Sequence, residues 1–328
     1  MVTRLRTLAF FLLASVFFGG TYVAVKAGGA YFPPLLFVAI RYDVAAVLLL
    51  GFVALTTAPA DRYPRSRRDV AGVLATAVFA IGLTNALLFV GQQSTTSAVG
   101  SILFGLAPIL TPVFAALLLA DEGLSRRGAA GTVLGLVGVA LVVGFDPAML
   151  VGSGSQGMVL MLGGAVSSAL GAVLIRRADA SLSSVVQTAW ALPVSAGMLH
   201  AGSALAGESF GAVVWSLPAL VALGYLSVFA GAVAYIAYFG LLAEVGAIQS
   251  SLVFYVSPVF ATLGGWAVLG ESISTMTVAG FGVVVVGFAV IGFETLRDVV
   301  APHLPSRSRS QRSESPTSSA TRYGSEGD

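Results

Sequence analysis

Ten runs of about 20 apolar residues, parted by short polar breaks, take up most of this chain. A run of that length matches a hydrocarbon layer of about 30 Å at 1.5 Å of helix rise per residue. No soluble core needs so many. Hydrophobic residues make up 57% of the chain and charged residues 10%, against roughly 25% charged in an ordinary soluble domain. The class this predicts is an all-α polytopic membrane protein with ten transmembrane helices. The runs fall at 7–26, 34–55, 70–91, 97–119 and 128–145, then at 157–175, 184–205, 216–240, 247–269 and 276–294. Beyond them, residues 297–328 are rich in Ser, Arg and acidic side chains, a composition that predicts a disordered cytoplasmic tail because it buries too little apolar surface to offset its ordering entropy. The basic start of the first run resembles a signal peptide, but no small-x-small cleavage site follows, so it reads as the first span.

The basic residues predict how the spans are oriented. Of the 17 in the chain, all but Lys26 and Arg41 fall before the first run, after the last, or in alternate loops: Arg62 to Arg68, Arg126 with Arg127, and Arg176 with Arg177. Cytoplasmic loops carry the excess of Lys and Arg. Both termini are therefore expected in the cytoplasm, in a multi-pass protein of the plasma (inner) membrane. A net charge of +2 gives no nucleic-acid footprint, and with no cysteine there is no disulfide framework, thiol nucleophile or thiolate metal site.

Sliding the chain by 150 residues reveals an internal repeat. Pro108 meets Pro258, Phe89 meets Phe239, Ser101 meets Ser251 and Lys26 meets Arg176; past the fourth run the shift becomes 149, pairing Glu122 with Glu271 and Gly131 with Gly280. Each copy, 7–145 and 157–294, holds five spans. An odd number means that the second copy enters the membrane inverted, and the basic loops agree, since Arg65, Arg67 and Arg68 align with Trp215, Leu217 and Pro218. Inverted repeats are the architecture of secondary transporters, in which two halves expose one central site alternately to either side.

Several motifs then stand in register. Phe18-Gly19-Gly20-Thr21-Tyr22 precedes Lys26 in the first span, Arg41-Tyr42 lies in the second, and the proline-containing fourth and ninth spans end in Asp121-Glu122-Gly123-Leu124-Ser125 and Gly270-Glu271-Ser272-Ile273-Ser274. Over residues 7–294 this resembles the EamA-type members of the drug/metabolite transporter superfamily. The chain departs from the family pattern at Phe18, where tryptophan is common, and by one extra residue between Pro108 and Glu122. The resemblance implies a ten-helix bundle with a central cavity that moves amino acids, purines or amphipathic compounds, often outward.

Arg41 and Asp43 are the charges that most need explaining, since each costs on the order of 2.5 to 3.5 kcal/mol at mid-bilayer on insertion scales. Two residues apart on a helix, they point to nearly opposite faces and need different partners. Arg41 is expected either to line the cavity and bind an anionic group or to bridge to a neighbouring helix. Asp43 is expected to be a satisfied structural contact or a proton site. Tyr22, Asn85, Trp190, Tyr235, Tyr255 and Ser251 are the further cavity candidates, and Pro108 and Pro258 the candidate kinks that shape a gate. Lys26 reads as a side chain snorkelling to the headgroups, His200 as isolated, and the stripes Gly163, Ser167, Gly171 and Gly131, Gly135 as helix packing or a homodimer face.

The expected function is a secondary carrier, an exporter of small metabolites working by alternating access. Its partners would be the small-molecule substrate, the lipid bilayer and a coupling proton. No cofactor, metal or nucleic acid is expected. A non-transporting sensor or a membrane-embedded enzyme is the competing class, but no cluster of His, Cys, Asp or Glu at catalytic spacing is present, and no nucleotide-binding motif such as G-x-x-x-x-G-K-S/T is there to indicate ATP hydrolysis.

Overall fold

The computed structural model describes residues 2–119, 125–143 and 156–291. Among these the chain is helical, with no strand. The first span is α1 (Val2–Gly28) and the second α2 (Pro34–Thr56), which opens on a proline whose missing N–H is not needed in a first turn. The third is composite: α3 (Arg67–Ala75), a π-helical segment Thr76–Leu83, and α4 (Thr84–Gln92). The fourth breaks into α5 (Ser97–Phe104) and α6 (Ala107–Leu118), and α7 (Arg126–Val143) is the fifth. The second half runs α8 (Gln156–Ala178), α9 (Ser184–Leu205), then α10 (Leu217–Gly224), a second π-helical segment Tyr225–Val233 and α11 (Ala234–Ser251), and ends with α12 (Val253–Leu269) and α13 (Thr275–Ile291).

Among the described residues six stretches are long and apolar enough to cross a bilayer, the composite spans 67–92, 97–118 and 217–238 among them, and α12 and α13 are apolar but shorter. With α7 and α9 they make the ten crossings. The polar break expected at 241–246 lies inside α11 instead, where no proline interrupts the helix. The tail from 297 on, and Asp121 and Glu122, lie outside the described residues. Side-chain caps set several helix starts: Ser66 and Asp69 form a reciprocal capping box on α3, and Thr96, Ser183 and Ser216 accept from the first turns of α5, α9 and α10.

Contacts between loops divide the bundle into two ends. At the basic end Arg68 Nη1 meets Asp179 Oδ2 at 2.9 Å, Trp190 Nε1 donates to the Arg62 carbonyl at 2.7 Å, and Ser181 donates through both N and Oγ to Asp69. At the distal end Val214 N donates to the Tyr31 carbonyl at 2.9 Å, and Glu208 accepts from Leu35 N, Leu36 N and Ser203 Oγ. Loops related by the repeat therefore sit at opposite ends, as the inversion requires.

Two features carry the repeat into three dimensions. Shifted by 150, the first π-helical segment falls on the second, so both copies distort their third helix at the same depth. Carbonyls displaced by that distortion need donors in a membrane. In the first copy α8 and α9 supply them: Ser167 Oγ donates to Phe79 O at 2.9 Å, Ser195 Oγ to Ala77 O at 2.9 Å. The second feature is the seam between α7 and α13. A Cβ on Gly138 would stand 2.8 Å from the Gly280 carbonyl, and one on Gly287 would stand 2.8 Å from the Gly131 carbonyl. Since the repeat pairs Gly131 with Gly280 and Gly138 with Gly287, the two contacts exchange under the pseudo-two-fold. The glycine stripe is thus a packing surface between the two halves of one chain, with backbones touching because no side chain intervenes.

Candidate functional site

α2 turns one face inward, with Phe37, Val38, Ala39, Arg41, Tyr42 and Ala46 all buried. Arg41 is 7% exposed, about 10 Å down the helix from its first turn at 1.5 Å per residue. Its guanidinium carbon lies 5.2 Å from the Tyr42 ring centroid and 5.9 Å from that of Phe89, and its Nη1 is buried with no hydrogen-bond partner. No carboxylate among the described residues pairs with it, which removes the structural salt bridge that the sequence left open. Each cation–π contact is worth about 0.5 to 2 kcal/mol when desolvated, so the rings offset part of the insertion cost and satisfy none of the fork's donors.

Asp43 points the other way, as a separation of two residues on a helix demands. It is half exposed, and its Oδ2 meets His200 Nε2 of α9 at 2.7 Å. His200 is therefore not isolated; its ring also stacks on Phe210. The pair is a contact between α2 and α9 on the outside of the bundle, away from the buried face that holds Arg41.

The other expected cavity residues separate into two groups. Tyr22 and Tyr235 stand among aromatic rings: Tyr22 packs edge-on against Phe104 at 6.2 Å, and Tyr235, exposed, packs against Phe18 at 5.1 Å. Tyr255 is buried on α12 with its hydroxyl unpartnered and its ring 4.0 Å from Phe288. Elsewhere the polar groups turn to backbone. Asn85 Nδ2 donates to Ile81 O at 2.8 Å within the first π-helical distortion. Trp190 sits at the basic end against Tyr63 and the Arg62 carbonyl. Ser251 closes α11.

The two prolines occupy unlike settings. Pro108 stands in the first turn of α6, after the chain has left helix at Gly105 and Leu106, whereas Pro258 lies inside an unbroken α12. A first turn leaves its N–H groups unbonded anyway, so Pro108 marks a break and costs no hydrogen bond.

The sequence reading missed the distal end. Lys26 does not snorkel: its Nζ donates to the Thr95 carbonyl at 2.5 Å and stands 3.1 Å from Glu271 Oε1, unaligned for a hydrogen bond there, so that attraction is chiefly Coulombic. Glu271 Oε2 accepts from Ser97 N at 2.9 Å, at the N-terminus of α5 where the helix dipole favours an anion. Gly270, in the left-handed region at φ +65°, ends α12 and turns the chain back so that Glu271 N bonds the Gly265 carbonyl at 3.1 Å. The side chains are 28% and 9% exposed, so the pair is screened less than a surface ion pair, whose worth is about 0 to 1 kcal/mol. It forms the floor of an open cavity of ≈ 750 Å³ lined also by Tyr31, Thr96 and Pro218. One cluster thus fastens α1 and α5 of the first copy to α12 of the second. The signal was in the sequence, since Lys26 and Glu271 both belong to its motifs, but nothing there placed them together.

Comparison with known proteins finds one family matched twice along the chain. The EamA-like transporter family matches residues 5–144 and again residues 155–293. Similar proteins include the uncharacterized inner membrane transporter YedA of Escherichia coli K12, 28% identical over 84% of this chain and 86% of its own length. The uncharacterized transporter YvbV of Bacillus subtilis is 28% identical over 88% of this chain and 92% of its own. An S-adenosylmethionine/S-adenosylhomocysteine transporter of Chlamydia trachomatis is 28% identical over 80% of this chain and 82% of its own. A solved crystal structure superposes with a TM-score of 0.59 at 20% identity, over 89% of this chain and 98% of that one, a likeness of fold.

Proposed function

Because this chain belongs to the EamA-like transporter family, we propose that it is a secondary carrier exporting small metabolites, amino acids or amphipathic compounds among them, by alternating access between its two inverted repeats. The observation that carries this reading is the cluster of Lys26, Glu271, Thr95 and Ser97, which binds the two repeats to each other at the distal end. A carrier needs such a tie at whichever mouth is shut, and needs it breakable. An ion pair supplemented by two hydrogen bonds is both.

In this reading the basic end faces the cytoplasm of a cell with an inner or plasma membrane, and the distal end faces out. Arg41, Tyr22, Tyr42 and Tyr235 form the substrate site, with Tyr255 on its far wall. The break at Gly105 to Pro108 lets α5 and α6 move separately, and Pro258 gives α12 its local freedom. Asp43 with His200 offers a titratable pair for proton coupling. The relative named for S-adenosylmethionine transport supports a substrate with both polar and apolar parts.

Purified protein in proteoliposomes, screened with a metabolite library under imposed proton and sodium gradients, tests the proposal. Saturable uptake of at least one compound is expected; if nothing moves under any gradient the carrier reading fails. Because the chain lacks cysteine, Arg65→Cys and Ser209→Cys should label from opposite sides of the membrane, and same-side labelling would overturn the orientation.

A further inference from the structure

We propose that the substrate is an organic monoanion and that Arg41 is the residue that receives its anionic group, an inference that rests on the carrier reading and narrows it. Arg41 is a buried cation that the protein leaves without a counter-charge. It is 7% exposed, its Nη1 has no partner, and it forms no ion pair among the described residues. A guanidinium presents a rigid fork of donors that fits a carboxylate in bidentate fashion, and such charge-assisted bonds are about twice as strong as neutral ones. A ligand of opposite charge would supply the partner that Nη1 lacks.

The surroundings specify the remainder of the ligand. Phe89 and Tyr42 flank the guanidinium, so its immediate surroundings are aromatic. Such walls suit an apolar or aromatic body and offer nothing to a small inorganic anion. Charge balance sets the valence. With one guanidinium, a second negative charge on the ligand would be buried unmatched.

The same balance separates a simple acid from an amino acid. An α-ammonium would need an acidic partner beside Arg41, and among the described residues the carboxylates on or against α2 are engaged elsewhere. Asp43 faces outward onto His200, and Glu208 accepts from Leu35 N, Leu36 N and Ser203 Oγ at the start of the helix. An acid lacking the ammonium is therefore the better fit, which departs from the amino-acid expectation.

One scaffold in four compounds, an anion, a neutral amide, a zwitterion and a cation, tests this: 3-phenylpropionate, its amide, phenylalanine and 3-phenylpropylamine, each added to purified protein in detergent while the melting temperature is recorded. The acid should stabilise the protein, and the amide and amine should need at least ten-fold higher concentration for an equal shift, with phenylalanine between. Arg41→Met should abolish the acid's effect. Without ligand that variant should melt no lower than wild type, because it removes an unpaired buried charge, and so a loss of binding cannot be put down to misfolding. The inference is overturned if the amide or amine matches the acid, if the acid still stabilises Arg41→Met, or if no member of the set acts. Proteoliposome assays separate the two readings. Transport of a neutral or cationic compound that survives Arg41→Met keeps the carrier and sinks the anion site, whereas Arg41-dependent binding of the acid with no transport does the reverse.

Discussion

The fourth span contains two helices that meet opposite fates. In α5 every residue from Ser97 to Leu103 is buried, while in α6 only Ile109 and Ala115 are. The distal helix, α5, packs on α12 of the other repeat and receives Glu271 at its N-terminus; α6 packs on α7 of its own repeat and on α8 of the other. Composition does not explain this, since both are apolar. The break at Gly105 and Leu106 separates them, so that one half of the span meets α12 and the other meets α8, both in the second repeat.

The largest effect should come from making the contact of α5 with α12 permanent. Lys26→Cys with Glu271→Cys in this cysteine-free background, once bridged by a short bifunctional crosslinker, should abolish transport and block distal labelling near Tyr31, with recovery when the linker is cleaved. Transport by fully crosslinked protein would mean that the distal end does not open, and the contrast between α5 and α6 would lose its meaning. An intermediate effect is expected at the seam about which the halves are joined. Gly280→Ala puts a Cβ within 2.6 Å of the Gly138 carbonyl, whereas Gly282 has open space around it. Overpacking of this kind costs about 1 to 3 kcal/mol. Gly280→Ala should lower the melting temperature by several degrees and Gly282→Ala should leave it unchanged; equal behaviour would show that α7 and α13 are not in tight contact.

The smallest effect belongs to the basic end, where Glu244 pairs with Arg6 and accepts from Thr7 Oγ1 at 2.6 Å. The Thr7 hydroxyl, with the Arg6 guanidinium behind it, holds the Glu244 carboxyl below the usual carboxylate range. A lowered folded-state value means that this tie contributes above the carboxylate's unfolded value and is lost as pH falls through the folded one. Arg6 is 62% exposed, so salt screens the pair. Glu244→Gln should leave the melting temperature within error of wild type at neutral pH, and should erase whatever acid sensitivity the wild type owes to this contact. A loss of stability as large as that of Gly280→Ala would place a second latch at the basic end.

Span positions, the inverted repeat and the opposite aims of Arg41 and Asp43 could all be read from the chain itself. Hydrophobic run length, loop charge and a helical advance of about 100° per residue are local quantities that need no knowledge of neighbours. Tertiary structure alone decided who meets whom. It brought Glu271 to Lys26 across 245 positions and His200 to Asp43 across 157, and among the described residues it left Arg41 with no acidic partner. It also turned Pro108 from a kink into the start of a second helix. Partners so far apart in sequence are fixed by how ten helices pack, and helix packing depends on which small residues let backbones approach, as Gly138 does with Gly280.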